Sequence, residues 1–249
     1  MLKRIIFKNR VLNMELPYSF AQFREHIVKD ISDGTWIYRG HSNKDWQLKS
    51  SFARYCDKLN VNFSTNIFYE LLEQFINKAS DFYAKDFFKL TIVEQIAFAQ
   101  HHGLPTPFLD WTESPYIATF FAVYDDFLNI NEPFKIWALN ISDIKNVLLD
   151  HRNNFKDSQF SLIETKLYNS RRLLRQMGCF TYLDSSNCLY EFSKKNYSNI
   201  RIKKYLINAE ESRINILNEL RMMGITAANI FDDIDGVAFD VMLKTFPKK

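Results

Sequence analysis

The chain has 249 residues, and its hydrophobic fraction of 47% and charged fraction of 24% are close to globular averages, which excludes a disordered chain or a coiled coil as the main state. A net charge of +3 permits a nucleic-acid partner without arguing for one, because dedicated binders carry a larger, clustered excess of Lys and Arg. No uncharged apolar run approaches the roughly 18 residues of a membrane span. The N-terminus also lacks the apolar core of a secretory signal, so we expect a cytoplasmic protein with no membrane partner.

Helices are marked by capping residues and by apolar side chains every three or four positions. They are predicted over 20–30, 66–85 and 91–103, with another helix beginning at the Ser114-Pro115 pair. β-Branched and aromatic runs predict strands over 3–7, 35–38, 134–141, 179–183 and 199–207. Asn208 with Glu211 predicts the cap of a last long helix that Gly224 ends, and 142–170 gives no clear signal. This mixture predicts an α+β fold in a single domain over 1–249, with a motif-bearing core at 35–240.

The string Tyr38-Arg39-Gly40-His41 combines a predicted strand end with an arginine and a glycine. A guanidinium placed there needs a carboxylate or a phosphate. Arg39 is therefore either half of a structural salt bridge or a fork that holds a dinucleotide pyrophosphate. The sequence contains neither GxGxxG nor GxxxxGK[ST], so it offers no Rossmann or P-loop route to phosphate.

The densest polar string covers 100–112. It contains the end of one predicted helix and leads to the start of the next. His101 with Asp110 in the same string is a candidate general acid or base, or else a helix C-cap histidine that carbonyls satisfy. Thr112 and Ser114 either cap the next helix or offer hydroxyl and N–H groups to an anion or a ribose. Adjacent histidines point to different sides of a helix and no HExxH or HxH is present, so we predict no metal site.

A third cluster places Arg171, Arg172 and Arg175 directly before Gln176 and a predicted strand. It is either a solvated basic face or a surface for an anion or a nucleic acid next to a site. In the second case Gln176 points into a cleft.

These strings, in this order, resemble the FRG domain family, which is named after a Phe/Tyr-Arg-Gly motif. The matching pieces are YRGHSNKDWQLKSSFAR (38–54), AQHHGLPTPFLDWTESPYIATFFA (99–122), NSRRLLRQMGCF (169–180) and ILNELRMMGITAANIFDDIDG (216–236). The string LDWT-x-SP-x-x-A-x-x-FA within the second piece is the most specific of them.

FRG domains in turn look like distant ADP-ribosyltransferases, so the resemblance implies a core of short mixed or antiparallel strands with packed helices, and NAD as co-substrate. It implies catalytic roles for Arg39, His101, Asp110 and Gln176, with Glu113 as an alternative to Gln176. The NAD-binding residues that it implies are Tyr38, Arg39, Gly40, His41, Thr106, Trp111, Thr112 and Ser114. It further implies a toxin or phage-defence setting with a cognate antitoxin protein.

The acceptor of the ADP-ribose is expected to carry phosphate, because Arg171, Arg172 and Arg175 would bind it. This favours RNA or DNA over protein. Three alternatives stay open: a non-catalytic nucleotide-binding or protein-interaction module, an ADP-ribosyltransferase of protein, and a basic RNA-binding protein without NAD chemistry.

Overall fold

The computed structural model describes residues 6–7, 10–11, 17–82, 89–129, 132–145, 159–163, 171–197, 199–208 and 212–245. The strands are β1 (Ile6–Phe7), β2 (Arg10–Val11), β3 (Trp36–His41), β4 (Phe108–Thr112), β5 (Phe134–Asn140), β6 (Phe160–Ile163), β7 (Gly178–Leu183) and β8 (Ile202–Ile207). The helices are α1 (Phe20–Ser32), α2 (Ser51–Leu59), α3 (Thr65–Ala79), α4 (Ile92–His101), α5 (Pro115–Tyr124), α6 (Ile141–Lys145), α7 (Arg171–Arg175), α8 (Leu189–Asn196), α9 (Arg213–Met222), α10 (Ala227–Phe231) and α11 (Ile234–Thr245). Among the described residues, the helices are too short or too polar to cross a membrane.

The described chain forms two compact units that interleave along the sequence. The first unit combines Met1–Trp46, Thr112–Asn140 and Ile202–Lys249, and the second combines Gln47–Trp111 and Ile141–Arg201. The single domain predicted over 1–249 stays a prediction.

The first unit is built on the antiparallel strands β3, β5 and β8, with Thr112 at the end of β4 paired to Tyr38 of β3. Successive residues of a strand point to opposite faces of a sheet. One face, which includes Tyr38, Ile136 and Ala138, joins apolar side chains of α1 and α5 in a shared hydrophobic core. The opposite face of β3 and β5 carries the polar side chains described below.

The second unit has the strand order β6-β7-β4, and its core joins these strands to α2, α3 and α4. Phe52 and Phe68 from the helices pack in one cluster with Phe108 and Phe180 from the strands. Burial of such large rings is the main stabilising term for a core of this kind.

The mixture of helices and antiparallel strands confirms the predicted mixed class. The capping boxes at Ser19 and Thr91 and the cap at Ser114 are all present at the predicted helix starts. Gly103 and Gly224 follow helix ends with φ of +89° and +79°, conformations that favour glycine.

Three boundaries were predicted wrongly. Strand β3 does not end at Arg39-Gly40 but continues to His41, because its ladder with β5 runs unbroken to the His41–Lys135 pair. Helix α9 begins at Arg213 under the cap of Ser212, not under Asn208, and it has ten residues. The predicted helix over 66–85 ends at Ala79, and the part of that prediction over 83–85 lies outside the described residues.

Candidate functional site

Strands β3 and β5 place a group of cationic and aromatic side chains on one face of the first unit. The antiparallel register pairs Arg39 with Trp137 and His41 with Lys135. Residues that are paired, or that lie two apart on one strand, share a face of the sheet. We call these four residues, together with Trp46 in the loop that follows β3, the basic–aromatic cluster.

His41 is the centre of the cluster, and its ring nitrogens each meet neighbours at 3.3 Å. Nε2 lies at that distance from Nε of Arg39, and Nδ1 lies at that distance from both the Trp46 carbonyl oxygen and Nε1 of Trp137. A guanidinium and an indole can only donate, and a neutral imidazole has one N–H and one acceptor nitrogen. With its proton on Nδ1, the ring accepts from Arg39 and donates to the Trp46 carbonyl. With its proton on Nε2, the ring accepts from Trp137.

Lys135 adds a second cation, and it is buried in β5, where the other residues up to Leu139 are apolar. Its Nζ lies 4.8 Å from the centre of the Trp137 ring, which is within the range of a cation–π interaction. Arg39 is half-buried on the neighbouring strand. Two cations on one face, one of them a planar fork with several donors, suit an anionic ligand with several oxygens.

Thr112 and Ser114, predicted to bind NAD, are the last residue of β4 and the N-cap of α5. The hydroxyl of Thr112 accepts from the backbone N–H of Ser114 at 3.1 Å, and the hydroxyl of Ser114 accepts from the N–H of Ile117 at 3.3 Å. The Ser114 hydroxyl therefore caps the helix, which is the first of the two alternatives that the sequence left open, and the Thr112 hydroxyl holds the backbone of the cap residue.

Tyr38 and Gly40, also predicted to bind NAD, lie on the core face of β3 rather than on the face of Arg39. Tyr38 is only 2% exposed, and burial raises the pKa of its phenol. A Cβ built on Gly40 would lie 1.9 Å from the carbonyl oxygen of Ala118. Gly40 is thus required for the close packing of α5 against β3.

In the second unit, Gln100 connects two residues of the predicted site. The hydroxyl of Thr106 donates to Oε1 of Gln100, and Nε2 of Gln100 donates to Oδ1 of Asp110. Thr106 is fully buried, whereas Asp110 is exposed. Because Gln100 is held at its other end by a buried hydroxyl, it orients an exposed carboxylate.

His101 and Trp111 lie in different surroundings of this unit. His101 is exposed at the last position of α4, with its ring 4.9 Å from the ring of His102. Trp111 is buried, and its Nε1 donates to the hydroxyl of Thr181 at 2.9 Å. The indole of Trp111 is therefore a core side chain with its one donor satisfied.

The predicted acceptor residues lie on the single-turn helix α7. Arg175 is exposed and Arg172 is half-buried, while the side chain of Arg171 lies outside the described residues. Gln176 follows the helix directly, and its backbone N–H donates to the carbonyl of Arg172 at 2.9 Å. Its side chain is half-buried at the turn before β7.

Sequence reasoning missed Trp46, Gln100, Lys135 and Trp137. A lysine two residues from a tryptophan inside the apolar run Phe134–Asn140 was a usable signal, because lysine is rarely buried without a reason. Gln100 and Trp46 stood inside the quoted strings, but only the structure gives them named partners.

Comparison with known families gives a match over part of the chain. The family model described as FRG domain matches residues 34–129, which supports the FRG family for this segment. Arg39, His41, Trp46, Gln100 and Asp110 all lie inside the matched residues, and the quoted strings over 169–180 and 216–236 lie outside them. Neither the curated proteins nor the solved structures include a match to the chain.

Proposed function

We propose that this protein is an NAD-dependent ADP-ribosyltransferase that transfers ADP-ribose to a nucleic acid, with RNA favoured as the acceptor. The observation that supports this proposal is the basic–aromatic cluster of the first unit. A pyrophosphate carries two negative charges on neighbouring phosphates. The planar guanidinium of Arg39 can donate to two of its oxygens at once, and the ammonium of Lys135 supplies a second positive charge.

The arrangement of the cluster favours binding without a large loss of conformational freedom. Arg39 is held through Nε by His41, and Lys135 is held against the Trp137 ring. Cations that are already oriented lose less side-chain entropy when an anion arrives. The residues therefore fit the pyrophosphate of NAD by the chemistry of their donors.

The proposed reaction breaks the bond between the ribose carbon C1″ and the nicotinamide nitrogen, and the bonding electrons leave with the nicotinamide. A hydroxyl of the acceptor attacks the same carbon and gives up its proton to a base. The products are the ADP-ribosylated acceptor, nicotinamide and one proton. Because the ribose develops positive charge as the bond breaks, a nearby carboxylate or amide oxygen would accelerate the step.

Within the second unit, Asp110, His101 and Gln176 remain the predicted catalytic residues. Asp110 is favoured as the stabilising carboxylate because it is exposed and oriented by Gln100. The role of proton acceptor for His101 rests on its place in one string with Asp110, and the role of Gln176 rests on the family resemblance. Each is tested by its own variant, Asp110→Asn, His101→Gln or Gln176→Ala, in the nicotinamide-release assay.

The primary experiment supplies NAD labelled in the adenylate to cell extract with the purified protein and follows two products. We expect released nicotinamide and label in the RNA fraction, and both should be lost with Arg39→Lys. Label in protein or DNA would correct the acceptor. Binding of NAD without release of nicotinamide would contradict the enzyme and favour the alternative of a nucleotide-binding module.

The toxin or defence setting is the part of the proposal that rests on the resemblance alone. Cells that express the wild-type protein should stop growing, and cells that express Arg39→Lys at the same level should grow. Equal growth of the two cultures would contradict a toxin function, whatever the outcome of the assay with purified protein.

A further inference from the structure

Trp46 differs from the other tryptophans in its exposure. Of the four tryptophans in the chain, Trp36, Trp111 and Trp137 are between 3% and 4% exposed, whereas Trp46 is 53% exposed. An indole is a large apolar group, and leaving it in water forgoes the stabilisation that burial gives. An exposed indole beside a cationic cluster is therefore accessible to a flat aromatic ligand.

The loop that carries Trp46 is fixed at several points. Its first carbonyl, that of Ser42, accepts from the buried guanidinium of Arg213 at 2.8 Å. The side chain of Asn43 accepts from the N–H of Asp45 at 2.7 Å, and its carbonyl accepts from the N–H of Trp46 at 3.3 Å. A loop held in this way presents the indole in one place.

The same loop attaches Trp46 to the basic–aromatic cluster. Its carbonyl oxygen lies 3.3 Å from Nδ1 of His41, and the two rings meet edge to face with centres 6.0 Å apart. His41 in turn contacts Arg39 and faces Lys135 across the strand pair. The exposed indole thus lies against His41, at one end of the cluster that would bind the phosphates.

We propose that Trp46 is a stacking platform for a nucleobase of the nucleotide whose phosphates the cluster binds. The inference rests on the proposed function for the identity of that ligand, NAD. Every nucleobase has a flat π face, and stacking on an indole needs no further hydrogen bonds. The cluster thus contains two elements of nucleotide recognition. Its cations suit the phosphates, and the indole suits the base.

The test uses fluorescence, because Trp46 is the tryptophan that solvent reaches. Quenching by acrylamide is measured for the wild type, Trp46→Phe and Trp46→Ala, each with AMP, nicotinamide mononucleotide or inorganic pyrophosphate. The Trp46→Phe variant supplies the signal of the three buried tryptophans. We expect AMP or nicotinamide mononucleotide to reduce the acrylamide quenching of Trp46 fluorescence in the wild type. The ligand that does so identifies the ring of NAD that stacks, adenine or nicotinamide.

Affinities from titration calorimetry complete the test. Trp46→Ala should weaken binding of the stacking nucleotide about tenfold, since one stacked base contributes on that order. Trp46→Phe should restore most of the affinity, and pyrophosphate should bind all three proteins equally. The matched control is Tyr55→Ala, which removes an aromatic ring of nearly the same exposure, 52%, and should change nothing.

Two results would overturn the inference. Unchanged nucleotide affinity in Trp46→Ala would remove the platform, and equal losses for nucleotide and pyrophosphate would show that the indole shapes the cluster instead of stacking. Nicotinamide release from NAD is measured in parallel. If the wild type releases nicotinamide but Trp46→Ala binds the nucleotide as tightly as the wild type, only the stacking proposal is contradicted. If binding depends on Trp46 but no nicotinamide is released, only the transferase proposal is contradicted. Absence of all binding contradicts both.

Discussion

At Arg39 the shape of the cationic group matters as much as its charge. Lysine keeps the charge but not the planar fork that grips two phosphate oxygens. Arg39→Lys should therefore lose most NAD turnover while the fold survives. A lost interaction of about 2–4 kcal/mol corresponds to roughly 30- to 1,000-fold in nicotinamide release.

A control variant shows whether the loss of turnover is specific to Arg39 or follows from replacing any half-buried arginine by lysine. Arg24 is also half-buried, lies in the same unit and forms an ion pair with Glu219, so Arg24→Lys is a matched change. It should leave turnover unchanged. If Arg39→Lys lowers the melting temperature and leaves turnover per folded molecule intact, Arg39 is a structural residue and does not belong to the site.

Asp143 provides a second prediction for a single residue, this one on stability. The guanidinium and backbone N–H of Arg201 both donate to its carboxylate, at 2.9 Å and 3.0 Å. Hydrogen bonding by the Arg201 side chain is the main cause that holds the pKa of Asp143 below its ordinary value of 3.8. A carboxyl with a lowered pKa stabilises the fold above its unfolded pKa, and this contribution is lost as pH falls through the folded pKa.

The free energy of unfolding should therefore differ between wild type and Asp143→Asn by a constant amount above about pH 5, and this difference should shrink below about pH 4. Urea unfolding at a series of pH values measures it. Arg201→Gln should remove most of the same pH-dependent part, because it deletes the guanidinium and leaves only the backbone N–H as a donor. A difference that stays constant down to pH 3 would show that the pair does not control the ionisation of Asp143.

Among the elements, the packing of α5 on β3 depends on Gly40. An added methyl group would meet the backbone of α5, 1.9 Å from the Ala118 carbonyl oxygen and 2.8 Å from the Ala122 nitrogen. Backbone cannot move aside as a flexible side chain can, so Gly40→Ala should cost at least about 3 kcal/mol of unfolding free energy, the upper part of the range for overpacking.

Gly103→Ala is the comparison for this prediction. Its Cβ would meet nothing within 4 Å, but its φ of +89° strains any other residue. That strain should cost about 1 kcal/mol in the same urea experiment. Similar losses for the two variants would mean that α5 can shift on the strand at little cost.

The sequence predicted the bounds of helices and strands well where those bounds depend on neighbouring residues in the chain. The caps at Ser19, Thr91 and Ser114 act within one turn, so the sequence alone located these helix starts. The end of β3 depends on its partner strand, and so the prediction stopped short of His41. The five-residue helix α6 and the four-residue strand β6 lie in the segment that gave no clear signal, because elements this short show no full period of burial.

The candidate site follows the same division between local and distant signals. Arg39 and Asp110 could be predicted as candidates because they stand in distinctive strings. Trp137 could not be joined to His41, because 96 residues separate them and only the register of two strands brings them together. Tyr38 and Gly40 belong to the same string as Arg39, but the alternation of a strand turns Tyr38 and Gly40 to the opposite face.

For the molecule as a whole, a net charge of +3 is too small to hold a nucleic acid without a local concentration of cations. Arg172 and Arg175 lie one turn apart on α7, with Arg171 beside them in sequence. The binding of RNA, the proposed acceptor, should therefore depend on the arginines of this helix more than on the overall charge.

Replacing Arg171, Arg172 and Arg175 by Ala should weaken RNA binding and flatten its dependence on salt. Each phosphate contact that is lost lowers the slope of log K against log salt by about one unit, because fewer counterions are released. Affinity for NAD should stay the same. The control is the double variant Lys194→Ala and Lys195→Ala, which removes two exposed cations from α8 of the same unit and should leave the slope unchanged. Binding measured by fluorescence anisotropy at several salt concentrations decides the matter: if the arginine variant keeps the wild-type slope, α7 does not contact the acceptor, and a protein acceptor or another surface takes its place.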